Sequence, residues 1–120
     1  MAEVNVAKTR IIPIRITDKD GVTYTLQFNR DSVRFAEQRG FQIDQLLDFP
    51  QTNIPALWFY AFRMHHPNIG RANTDALLEQ LGGLKPKEIE RLVELYNEPN
   101  TALIAGDEDE RKNAGLTMEL

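Results

Sequence analysis

At 120 residues the chain has the size of one domain, long enough to bury well over half of its unfolded surface around a single core. Hydrophobic residues at 42% and charged residues at 27% lie close to the globular average and exclude both wholesale disorder and a chain built of membrane spans. The formal net charge of -4 is concentrated beyond Gly106, where five acidic residues stand against Arg111 and Lys112. The remaining body is nearly neutral, which argues against a nucleic-acid binder that works by bulk phosphate attraction.

The absence of cysteine removes disulfides, thiolate nucleophiles and thiolate metal ligands, and fits a reducing compartment. Met1–Val6 has no basic stretch leading into an apolar one, so nothing in it directs export and the expected location is the cytoplasm. The most apolar stretch, Ile54–Met64, is interrupted by Pro55 and Arg63 and is far shorter than the ~20 residues of a membrane span.

From about residue 10 to 28 the apolar pattern has period two. Ile12, Ile14 and Ile16 alternate with Pro13, Arg15 and Thr17, and Val22, Tyr24, Leu26 and Phe28 alternate with polar residues. That is the signature of a β-hairpin, with Asp18–Gly21 as its turn. Pro13 has no N–H for a ladder, which places the first strand at an edge. Val4 and Val6 form a candidate third strand. A hairpin alone is marginal in water, so its apolar face must pack on the helices or pair with a second copy through its edge.

Helical periodicity then takes over. Asn29 is the expected N-cap of a first helix ending at Gly40, with Phe41 as the apolar contact beyond. A short helix over about Ile43–Phe49 is expected to stop at Pro50, and Thr52 or Asn53 to cap the next, with Pro55 in its first turn. In this central helix Ile54, Leu57, Trp58, Ala61, Phe62 and His65 form one stripe, and Phe59, Tyr60 and Met64 make the rest apolar too. Helices over about Thr74–Leu81 and Pro86–Asn97 follow, separated by Gly82–Gly83, and Thr101–Ala105 offers one more turn. The chain thus reads as an α+β, mostly helical domain over residues 1–106. An N-terminal hairpin packs on a bundle of about four to five short helices spanning about 30–105, and residues 107–120 read as a flexible acidic tail.

Chemistry-bearing constellations are sparse. His65-His66 lacks the i, i+3 or i, i+4 partner that a helical metal site needs, so a packed His65 and a helix-terminal His66 are the simpler reading. The sole serine, Ser32, falls in a helix's first turn, where capping is expected rather than nucleophilic attack. Gly82–Lys87 lacks the phosphate-loop pattern. No catalytic residue, metal ligand or cofactor is therefore expected, and the chain reads as non-enzymatic. The rival class is a small DNA-binding regulator, since Leu77–Tyr96 outlines a helix-turn-helix. Its second helix, however, carries Glu88, Glu90, Glu94 and Glu98 against Lys87 and Arg91, the wrong chemistry for reading base edges.

The order of elements and certain words of the sequence resemble a known family. These are Phe28-Asn29-Arg30, Arg39-Gly40-Phe41, and Ile54–Phe62 leading to His65-His66. Over roughly Val22–Asn97 the chain looks like the tail assembly chaperones of long-tailed phages (siphoviruses) and prophages of Gram-positive bacteria. The resemblance implies a protein of the host cytoplasm, missing from the finished virion. Its partner would be the tape measure protein, and possibly the tail-tube protein, during viral tail assembly. A chaperone for an amphipathic helix needs an apolar groove, for which Trp58, Phe59, Tyr60, Phe62, Leu77, Leu81, Leu92 and Tyr96 are the candidate contacts. Each is equally a candidate for plain core.

Overall fold

Two short antiparallel strands open the fold: β1 at Ile14–Thr17 and β2 at Thr23–Leu26, with Ile14 opposite Leu26 and Ile16 opposite Tyr24. The structure, a computed structural model, describes residues 11–103 and Glu119. The Val4/Val6 strand, residues 104–105 of the expected last turn and the acidic tail lie outside the described residues, Glu119 apart. The hairpin turn is stapled by Asp18, whose backbone N–H donates to Val22 and whose carboxylate accepts from the N–H groups of Asp20 and Val22. Gly21, at φ 84, takes the left-handed position that this loop requires.

The first helix, α1 at Arg30–Gln38, is capped at both ends as its sequence predicts. Asn29 accepts from the Ser32 N–H at 2.8 Å, and the Ser32 hydroxyl accepts from the Asn29 N–H at 2.9 Å, a closed exchange between two otherwise orphan donors. At the other end the Gly40 N–H reaches the Glu37 carbonyl and the Phe41 N–H reaches that of Ala36. This pair of hydrogen bonds goes with φ +89 at Gly40 and delivers Phe41 into the core.

The next segment departs from expectation. Only Ile43–Gln45 forms a short 3-10 turn, and Pro50 begins the following helix instead of ending the preceding one. Proline suits that position because the first residue of a helix has no carbonyl to bond and its ring already holds the helical φ. The central helix α2 therefore runs Pro50–Phe62, with Phe49 rather than Thr52 or Asn53 as its N-cap. Asn53 instead uses its side-chain amide to bond the Gln45 carbonyl, at 2.8 Å.

Helix α3 spans Arg71–Leu81 after Gly70, three residues longer at its start than its apolar edge suggests, and α4 spans Pro86–Asn97 as expected. The Lys85 N–H donates to the Glu88 carboxylate at 2.8 Å, closing the first turn of α4. A 3-10 turn over Glu98–Ala102 follows. The fold is thus α+β and mostly helical, a hairpin on four helices.

Helix α2 is the axis of this arrangement. Leu57, Trp58, Ala61 and Phe62 are at most 1% exposed, because β2, α1, α3 and α4 all pack on it. Trp58 buries its whole indole and still satisfies its N–H, which donates to the Thr74 carbonyl of α3 at 2.8 Å. The Thr74 hydroxyl bonds back to the Arg71 carbonyl, so the start of α3 is folded around the point where Trp58 docks.

Trp58→Phe should destabilise the protein by about 2–4 kcal/mol, since it removes core volume and the buried hydrogen bond to the Thr74 carbonyl. Denaturant unfolding of the two proteins measures this directly. Gly40→Ala meets no neighbouring atom within 4 Å, so its expected cost of about 1 kcal/mol is backbone strain alone.

Candidate functional site

An apolar groove of about 520 Å³ lies between β1 and α4. Ile14 and Ile16 form one wall, Leu81 and Leu84 from the α3–α4 turn form its end, and Trp58 and Leu92 reach it from the core. Its rim is charged: Lys87 and Arg91 alternate with Glu88, Glu90 and Glu94 on α4. The period of α4 explains this, since Leu92, Leu95 and Tyr96 are buried while Glu88, Glu90 and Glu94 face outward. The outward face is therefore mostly carboxylate, in keeping with the weak helix-turn-helix reading.

The eight residues expected to contact a partner divide sharply. Tyr60, Phe62, Leu77 and Tyr96 are buried away from the groove, and Phe59 is half-buried on a different side of α2. Trp58 and Leu92 line the groove with almost no exposed surface, and Leu81 is the one member largely open to solvent, at 49%. The aromatic surplus of α2 is absorbed by the protein's own rings. Trp58, Tyr24 and His66 pack around Phe62, and Phe28, Phe41, Tyr60 and Tyr96 form a second run of edge-to-face pairs. Burial, with Glu37 and Tyr60 nearby, pushes the Tyr96 phenol up to about 12, so it is a neutral core group at any physiological pH.

Sequence reasoning missed Ile14, Ile16 and Leu84 as groove residues. The available signal was area: a hairpin with one isoleucine-rich face beside a helix that is half charged leaves apolar surface without a cover. It also missed Phe35, which holds the guanidinium carbons of Arg39 and Arg63 at 4.2 and 3.7 Å from its ring centre and so hides its faces under charged side chains.

The histidine pair plays a local role different from the expected one. His65 is exposed, with Nε2 2.8 Å from the Gln27 amide oxygen, whereas His66 is half-buried and its Nε2 accepts the Thr25 N–H at 3.1 Å. Phe62 ends α2, so both rings lie beyond it and turn toward β2. Among the described residues no group of three or more His, Cys, Asp or Glu side chains is arranged to hold a metal ion. Ser32 is buried within the α1 capping exchange. No helix of the described residues is long and apolar enough to cross a membrane.

Burial first, and His65 beside it second, lower the pKa of His66 below its ordinary 6.5. A neutral Nε2 is also what the Thr25 bond requires. Below 6.5 the unfolded chain takes up a proton that the folded chain resists, so this contribution to stability is complete above that value and falls as pH drops through the folded pKa. His66→Gln keeps an acceptor but cannot titrate. Its unfolding midpoint should therefore fall less steeply than the wild type's between pH 7 and 5, and identical slopes would refute the assignment.

No curated protein and no solved structure gives a significant match. The model of one family, described as a domain of unknown function, matches residues 1–120, and the chain accordingly belongs to the DUF5055 family.

Proposed function

We propose that this protein is a non-enzymatic tail assembly chaperone of a long-tailed phage or prophage, and that it holds an apolar segment of the tape measure protein while the tail tube is built around it. The observation that carries the reading is the groove. It combines four accessible aliphatic side chains, Ile14, Ile16, Leu81 and Leu84, with a charged rim. Apolar floor and polar rim is the arrangement by which a soluble protein shields a greasy helix without aggregating itself. Support also comes from the likeness of Phe28–Arg30, Arg39–Phe41 and Ile54–His66 to that family. The contacts are fewer than the aromatic helix suggested, because most of its rings are core. The acidic outward face of α4 gives a DNA-binding role no comparable support.

Co-expression with a tape measure protein from the same gene cluster should raise that protein's soluble yield and produce a co-eluting complex. Leu81→Asp adds a charge to the groove at an exposed position, so it should leave stability within about 0.5 kcal/mol of wild type while abolishing co-elution. Failure of the wild type to co-elute or to improve solubility would remove the chaperone reading. An unimpaired Leu81→Asp complex would move the contact elsewhere on the surface.

A further inference from the structure

Three hydrogen bonds of different chemistry close the seam between the end of β2 and the end of α2. The Gln27 N–H donates to the Ala61 carbonyl at 3.0 Å. The His65 Nε2 lies 2.8 Å from the Gln27 amide oxygen, and the Thr25 N–H donates to the His66 Nε2 at 3.1 Å. Of these three acceptors, a carbonyl and an amide oxygen accept in every protonation state met near neutral pH, whereas an imidazolium nitrogen accepts in none. His65 donates to Gln27 and goes on donating when it is charged, but a charged His66 turns a donor toward the Thr25 donor. The two adjacent histidines therefore respond to acid in opposite ways.

We propose that the bond between His66 and Thr25 is a proton-operated latch on the groove: uptake of a proton at Nε2 releases Thr25, loosens β2 from the end of α2 and slackens the groove wall. Register makes the connection. Thr25 lies between Tyr24 and Leu26, which stand opposite Ile16 and Ile14 in the ladder, and those two isoleucines are one wall of the groove. The bond thus anchors the stretch of β2 to which that wall is paired.

The ring is held in place for this role. The His66 N–H bonds the Phe62 carbonyl at 2.8 Å, and the imidazole packs edge-on against Tyr24 at 5.3 Å and beside Phe62 at 6.2 Å between ring centres. With Nε2 facing a donor, the neutral ring must carry its proton on Nδ1. Two titratable groups face it. His65, its neighbour in the chain, is 6.4 Å away between ring centres, and Tyr24 stands across the seam on β2 with its hydroxyl 3.4 Å from the Asp18 carboxylate; Phe62 of α2 is apolar. Burial first, and the charge of His65 second, set the His66 pKa below 6.5. The latch is therefore closed at neutral pH and opens as pH falls through that lower value.

The latch goes beyond an acid loss of overall stability, since it puts the first opening at one seam while the helices stay folded, and it does not depend on which partner the groove takes. It is tested on the full chain between about pH 7.5 and 5, the range in which a histidine titrates. By NMR, the Thr25 amide, corrected for the intrinsic pH dependence of exchange, should lose about tenfold or more of its protection, with the midpoint shown by the His66 ring nitrogens. Trp58 is the sole tryptophan and lines the groove, so acrylamide quenching of its fluorescence should rise with the same midpoint. His66→Gln should flatten both signals, whereas His65→Gln should leave the Thr25 transition in place. A neutral His66 carrying its proton on Nε2 would overturn the proposal, as would Thr25 protection that does not follow the His66 titration. So would a Thr25 transition with no change at Trp58, or helical circular dichroism lost at the same midpoint, which is global unfolding.

Discussion

An indole cannot be buried cheaply with its N–H unpaired, and the fold is organised around meeting both demands for Trp58. Its side chain is 1% exposed and its N–H reaches the Thr74 carbonyl. That carbonyl lies in the first turn of α3, which begins at Arg71, and the Thr74 hydroxyl turns back onto the same turn. This contact ties α2 to the start of α3, and Phe62 packs against the same indole. The α3–α4 turn carries Leu81 and Leu84 to the end of the groove. Trp58 itself lines that groove, so the core contact and the surface feature that supports the functional proposal share a side chain.

The hairpin depends on the same helix. Two strands of four residues do not hold together alone in water, and here α2 and the turn after it brace β2, through the Ala61 carbonyl and the His66 ring. The other strand, β1, lends Ile14 and Ile16 to the apolar groove. An apolar groove bounded by a strand and a charged helix is the kind of surface that takes an apolar segment of a partner.

Charge is arranged to keep the apolar surface local. Arg39 and Arg63 stack on Phe35 and Arg71 lies over Phe59 at 5.7 Å, so aromatic area that the core does not absorb is screened by guanidinium groups. The groove rim carries both signs along α4. The described ion pairs, Arg34–Asp31 and Arg71–Asp75, are exposed and join residues one turn apart. Such pairs contribute little to stability, so the arrangement serves solubility more than it holds the fold.

Local signals alone determined much of this protein. Alternation from Ile12 to Phe28, Asn29 with Ser32, Gly40 with Phe41 and Pro86 each declare a strand, a cap or a start, because the physics involved spans only a few residues. The same locality explains the errors. Pro50 is a stop for one helix and a start for the next with equal justification, and only the packing of Leu57 and Trp58 decides that α2 begins there. An apolar residue near a groove and one in a core have the same chemistry, so Tyr60, Phe62, Leu77 and Tyr96 could not be separated from Leu81 by type or spacing. Likewise nothing in His65-His66 indicates that it is His66 that meets a strand residue 41 positions away in sequence. Those choices belong to tertiary structure, since burial and edge closure are properties of the surfaces that remain once all the elements have docked.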